Sequence, residues 1–211
     1  MKWEVSLLGR ALGRAALHVN TNYDPSSLLV NDTVFNLIRG WMLGSCVQGI
    51  LIREPPGVCN KTSLATEAFK ENWRRTIELV RLAARHTIPY IVELPTISRC
   101  LKEQSSLKLL RMQVPSVHVV DSCSYGTRWK RSSIIFSKNC IFQGRPRCAG
   151  NVACCAFSHQ PHIALRSKGN QTCTRIGPLG VQLVQSLARC IQEAAEDLRQ
   201  RRIAQLCKLV N

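Results

Sequence analysis

Five cysteines and two histidines fall between residues 137 and 175: Cys140, Cys148, Cys154, Cys155, Cys173, His159 and His162. Thiolates and imidazoles are the ligands a zinc ion takes, four of them in a tetrahedron. Cys148, Cys154, Cys155 and His162 form the leading set. His159 can stand in for His162, and Cys140, Cys173 or Cys123 (the last from the loop before this segment) can supply a further ligand. No pair has Cys-x-x-Cys spacing, so the segment does not follow a standard finger. The plainer alternative is a loop of reduced thiols in which His162 opens a short strand, 162–165.

Two other places carry chemistry. Glu93 ends an apolar run, Ile88 to Val92, and is followed by Leu94 and Pro95. A carboxyl group among apolar neighbours resists ionisation, which suits a general acid, although a salt-bridged glutamate fits the same pattern. The stretch from Asp121 to Arg131 is a short polar loop. It holds Tyr125 and Trp129 on either side of Gly126, with Arg128, Lys130 and Arg131 as three cations in four residues. Arginine binds phosphate bidentately and an aromatic ring stacks on a base, so this loop is a candidate nucleic-acid contact.

These residues need elements to position them. The apolar run Ile50 to Ile52, the amphipathic stretch Ser63 to His86 and the run ending at Val92 predict strand, helix, strand. Parallel strands joined by a crossover end on one edge of the sheet, which is where ligands bind in open α/β sheets. Pro55, Pro56 and Glu93 belong to that edge. Asn31 or Asp32 is expected to cap a helix with Val34, Phe35, Ile38, Trp41 and Met42 on its apolar face. A helix over 98–112, a third strand over 117–120 and a fourth over 134–136 follow. The last helix spans 179–210, with Leu183, Leu187, Cys190, Ile191, Ala194 and Leu198 as its buried stripe. The expected architecture is an open, mostly parallel sheet with flanking helices. It divides into a core over 1–136, the Cys/His-rich segment over 137–175 and a C-terminal helix over 176–211 that packs on the core.

The charge balance narrows the partners. The chain has 211 residues, with 29 Lys and Arg against 13 Asp and Glu, for a net charge of +16. Such a field favours polyanions, nucleic acid first among them. No apolar run approaches the roughly 20 residues of a membrane span, so no membrane partner is expected. Eleven cysteines and three Asn-x-Thr sequons would suit a secreted disulfide protein. The N-terminus argues otherwise: only Val5 to Leu8, with Ser6 among them, precede Gly9 and Arg10, which break the run. The thiols are therefore read as reduced and the chain as intracellular, with the nucleus favoured.

The order of these pieces resembles the catalytic half of cytosine-5 DNA methyltransferases, and more closely their divergent relatives in retroelement-type and protist reading frames. A strand runs into Pro55-Pro56, a strand runs into Glu93-Leu94-Pro95, and a strand runs into Tyr125-Gly126 followed by Arg128, Lys130 and Arg131. The resemblance covers roughly residues 17 to 195 and implies a Rossmann-like sheet and an S-adenosylmethionine cofactor. It makes Glu93 the residue that protonates the base, and Tyr125 with the three cations the contact to base and phosphate. It sets the Pro55-Pro56 turn, with Asp24 as a remnant ribose contact, on the cofactor side. The departures are specific. The family's nucleophilic cysteine follows its proline directly, whereas here Gly57 follows Pro56 and Cys59 comes two residues late. The family's Asn after the glutamate is Leu94. Residues 1 to 20 do not supply the Gly-rich cofactor loop, so the cofactor strand is expected to be missing.

Three functions follow. The first is a methyltransferase-like, nucleic-acid-associated domain that has lost catalysis, with DNA as the favoured partner. The second is an active S-adenosylmethionine-dependent DNA cytosine methyltransferase that uses the displaced Cys59 with Glu93. The third is a non-enzymatic basic nucleic-acid-binding protein with a structural zinc.

Overall fold

A computed structural model describes residues 31–53, 67–96, 116–151, 153–163 and 181–210. The positions singled out at Asp24, Pro55, Pro56, Cys59 and Cys173, and the helix expected over 98–112, lie outside the described residues.

Helix α1 spans Asp32–Leu43. Asn31 caps it: the side-chain oxygen accepts from the backbone N–H groups of Thr33 at 3.0 Å and Val34 at 3.3 Å. Such a cap is worth about 1 kcal/mol relative to alanine. Gly44 ends the helix, its N–H donating to the Gly40 carbonyl. Strand β1, Ile50–Arg53, leads through the crossover helix α2, Glu67–Arg85, into strand β2, Tyr90–Pro95. β1 and β2 pair in parallel, Ile50 opposite Tyr90 and Arg53 opposite Glu93. The strand–helix–strand reading therefore holds, with β2 starting two residues later than the apolar run. Pro89 has no N–H to give a ladder, and its carbonyl accepts from Ile50 instead.

The rest of the sheet differs from expectation. Strand β3, Ser116–Asp121, passes through a 3-10 turn, Ser122–Tyr125, into strand β4, Ser132–Lys138. The spatial order is β1-β2-β4-β3, and β4 runs antiparallel to both of its neighbours. The described sheet is open and mostly antiparallel, with one parallel pair, rather than mostly parallel. The reason lies in the connection: a parallel crossover needs about a dozen residues or more, and the stretch 122–131 is too short for one. β4 turns back and inserts between β2 and β3. Because β3 is antiparallel to β4, it still runs in the same direction as β1 and β2. Three strand ends, at Arg53, Glu93 to Pro95 and Asp121, therefore share one edge, and β4 begins at that edge with Ser132 and Ser133, directly after Arg131.

Strand alternation divides the core between two faces. Tyr90, Val92, Leu94 and Phe136 meet Phe35 and Met42 of α1 and Trp73, Ile77, Val80 and Ala83 of α2. Arg75 ties the two helices, 2.6 Å from Asp32 and stacked over the Phe35 ring at 4.9 Å. On the opposite face, Ile91, Val120 and Ile135 meet Leu183, Leu187, Cys190 and Ile191 of the last helix, α3, Val181–Val210. Each fully buried leucine there contributes about 1.5–3 kcal/mol. Gly49 makes this approach possible, since a Cβ on it would lie 2.0 Å from the Ile191 Cγ2. The stripe predicted for α3 is the one that packs, with Ala194 and Leu198 half-buried, and residues 199–208 extend beyond the core as exposed helix.

Candidate metal centre

The shared edge leads directly into the Cys/His segment. β3 ends at Asp121, which is fully buried. The 3-10 turn after it is closed by Gly126, whose N–H donates to the Cys123 carbonyl at 3.1 Å. Gly126 has φ of 82°, a left-handed conformation that glycine adopts without penalty. This turn points Cys123 inward. The carboxylate of Asp121 then holds two chain segments together. One oxygen accepts from the Ser132 hydroxyl, and the other accepts from the backbone N–H of Cys148 at 2.8 Å. Arg147 adds an ion pair at 3.6 Å.

The loop that returns from Cys148 is fastened at several points. Lys130 Nζ donates to the carbonyls of Cys148 at 2.9 Å and Gly150 at 3.0 Å. Gly150 packs so closely that a Cβ on it would lie 2.1 Å from the Cys154 carbonyl. The Asn151 side-chain oxygen accepts from the N–H groups of Ala153 and Cys154. Cys155 donates its N–H to Gln160, and Ile163 donates to the Arg128 carbonyl at 2.7 Å. This last bond ties the segment back to the loop before β4; residues 164 and 165 of the strand expected from His162 lie outside the described residues.

The result is a buried group of three cysteines and one histidine. Cys123 Sγ, Cys148 Sγ, Cys155 Sγ and a ring nitrogen of His162 all lie within 4.8 Å of one another. A zinc–sulfur bond of about 2.3 Å implies a sulfur–sulfur edge of about 3.8 Å in a regular tetrahedron, and about 3.6 Å for sulfur to nitrogen. The Cys148 and Cys155 sulfurs are 3.9 Å apart, and Cys148 Sγ is 3.8 Å from His162 Nε2. His162 Nδ1 lies 2.6 Å from the Asn151 carbonyl. A carbonyl only accepts, so Nδ1 carries the hydrogen and Nε2 keeps its lone pair for the centre, as metal-bound histidines do. The backbone N–H groups of Ala156 and Phe157 point at the sulfurs of Cys148 and Cys155, each at 3.5 Å. Burial pushes the Cys155 thiol up, but N–H donors from Ser158 and Phe157, together with Ser158 and Cys148 side chains, outweigh it and bring the pKa down to about 6. Cys123 goes the other way: burial and the neighbouring thiols Cys148 and Cys155 push it up to about 12. The four residues can hold a metal ion.

This set corrects the one expected from spacing. Cys123 belongs to it and Cys154 does not. Cys154 is exposed, and its thiol points at the Cys155 carbonyl, 3.8 Å away. Adjacent cysteines in an extended loop face opposite ways, so only one of the pair reaches the centre. His159 is exposed, and Cys140 sits in the α3-side core, 3.6 Å from the Tyr90 carbonyl. The signal for Cys123 was its place two residues after a strand end, beside the other strand ends.

The other expected residues serve the same edge. Glu93 is fully buried and accepts from Arg131 at 2.8 Å, Ser133 Oγ at 2.5 Å and Arg53 at 3.5 Å. The Tyr125 ring is buried beneath the Arg145 guanidinium, 5.0 Å away, and its hydroxyl accepts from the Arg145 N–H. Neither its ring nor its hydroxyl is presented to solvent. Lys130 is the fastener described above, and Arg131 is the partner of Glu93. Of the four residues expected to contact nucleic acid, Arg128 is exposed with no side-chain partner among the described residues. Arg147, which was not expected, is 61% exposed at the same edge, where it pairs with Asp121 at 3.6 Å.

No protein-family model, no curated protein and no solved structure matches this chain. No described helix is long and apolar enough to cross a membrane.

Proposed function

We propose that this chain is a methyltransferase-like domain that has lost catalysis and binds nucleic acid through a basic surface held by a structural zinc ion. The observation that carries the reading is the spacing of Cys123, Cys148, Cys155 and His162, which fits a tetrahedral zinc site with its histidine already oriented. Four protein ligands leave no open position, so the ion supplies folding energy rather than a site for reaction. It cross-links the turn after β3 to the loop 148–163. An exposed cation flanks each segment, Arg128 after the turn and Arg147 before the loop, in a chain of net charge +16. Loss of catalysis is supported by Glu93, whose carboxylate is taken up by Arg131, Ser133 and Arg53, and by Leu94, which is buried in the core where the family's motif has Asn.

The test is metal analysis combined with binding. Purified protein should carry about one zinc ion per chain, and chelation should lower the melting temperature and nucleic-acid affinity together. The logarithm of affinity should fall linearly with the logarithm of salt concentration. Calorimetric titration with S-adenosylmethionine should give no heat of binding. A zinc-free chain with unchanged melting temperature would remove the metal from the reading. Micromolar S-adenosylmethionine binding, about −8 kcal/mol, would favour the active enzyme instead.

A further inference from the structure

The Cys/His segment carries an exposed aromatic ring outside the buried clusters. Phe157 stands two residues after Cys155, with its N–H on the Cys155 sulfur, yet its side chain is 42% exposed and belongs to none of the buried clusters. Three more exposed side chains stand on chain segments tied to the same group of residues. Ile163 follows the ligand His162, and its N–H is bonded to the Arg128 carbonyl at 2.7 Å, which fixes Arg128 against the segment. Arg147 directly precedes the ligand Cys148. One cluster therefore anchors the backbone that carries an aromatic ring and two cations, all three side chains exposed, with Arg147 reaching Asp121 at 3.6 Å from one edge of its guanidinium.

A ring that stacks and guanidinium groups that fork onto phosphate are what a single strand offers contacts for. A duplex hides the faces of its bases inside the stack, so an exposed ring gains nothing from it. Resting on the nucleic-acid reading above, we infer that Phe157 stacks on an unpaired base of single-stranded nucleic acid while Arg128 and Arg147 hold the adjoining phosphates. The stacking residue is thus Phe157, and Tyr125, the aromatic expected from sequence, packs inside.

The experiment uses the full zinc-loaded chain. Fluorescence anisotropy measures its affinity for an oligothymidine DNA and an oligouridine RNA of about 20 nucleotides and for a duplex of equal length, a span longer than common single-strand sites. Phe157→Ala should weaken binding to both single strands about tenfold and leave the duplex unchanged, within the range measured for one base stacked on an aromatic ring. Phe157→Trp should restore it. Phe157→Leu, which keeps the apolar bulk without the aromatic face, should bind like the alanine variant. Arg128→Ala should reduce the single-strand salt slope by about 0.7. Zinc content and melting temperature, which an exposed side chain leaves alone, are measured on every variant. Equal affinity of Phe157→Ala and wild type for single strands, or an equal loss on duplex, overturns the inference while leaving the nucleic-acid reading in place. A wild-type chain that binds none of the three probes overturns both.

Discussion

Replacing Asp121 tests how the sheet and the candidate metal centre are joined. Its carboxylate is buried and accepts from Ser132 on one oxygen and from the Cys148 N–H on the other. Hydrogen bonds to a charged acceptor are each worth about 1.5–3 kcal/mol, and Asp121→Ala loses both and leaves a buried N–H without a partner. The expected cost is about 4 kcal/mol, a large share of a total stability of roughly 5–15 kcal/mol. At a slope of about 2–3 kcal/mol per molar urea, the unfolding midpoint should fall by about 1.5 M. Asp121→Asn behaves differently. Its amide oxygen can face Cys148, and its NH2 can donate to the Ser132 hydroxyl, which rotates to accept. Both bonds survive without the charge, so the cost should be about 1–2 kcal/mol. Zinc retention separates the two variants again. Cys148 is placed by this carboxylate, so the alanine variant should lose about 10–100-fold in zinc affinity against a competing chelator, and the asparagine variant only a few-fold. An alanine variant with wild-type midpoint and wild-type zinc retention would refute the joint. So would an asparagine variant as damaged as the alanine one, because the argument rests on geometry more than on charge.

Three further outcomes follow from the same contacts. Cys123→Ser should give protein with little zinc, whereas Cys154→Ser should keep about one ion per chain; elemental analysis of both decides between the geometric and the spacing-based ligand sets. Glu93→Leu removes the carboxylate that pairs with the Arg131 guanidinium, whose side chain is only 9% exposed, and should destabilise the fold by about 3–5 kcal/mol in urea denaturation, while Glu93→Gln should cost about 1–2 kcal/mol. Gly49→Ala drives a methyl group into Ile191 and should cost about 1–3 kcal/mol; in an Ile191→Ala background the same change should cost close to nothing, a coupling that a double-mutant cycle measures.

Much of the frame was legible in the chain because it rests on local chemistry. Asn31 caps a helix whose Phe35 and Met42 face inward, as side chains one and two turns apart must. Ile50 to Pro95 forms strand, helix and strand because the apolar residues change period twice, and the crossover then forces β1 and β2 into parallel. The stripe on α3 and the gathering of three strand ends at one edge follow from the same kind of reasoning. Cys148, Cys155 and His162 stood among the candidate ligands by residue type and short span, with Cys154 and His159 as equal alternatives.

What sequence could not settle was decided by contacts between distant segments. The insertion of β4 between β2 and β3 depends on which open edge a returning hairpin strand finds, and that is a property of the assembled sheet. Whether Cys154 or Cys155 faces the centre depends on a bend set by Gly150 and Asn151 against the rest of the loop. Cys123 joins from another segment because Asp121 draws Cys148 onto the end of β3. Tyr125 and Arg131 read as a binding surface, yet each found an internal partner, at Arg145 and at Glu93, while Lys130 bonds the Cys148 and Gly150 carbonyls and stays exposed. Residue type determined what these side chains can bond to. Only the tertiary structure, by bringing the partner within reach and excluding water, decided which bond each one makes.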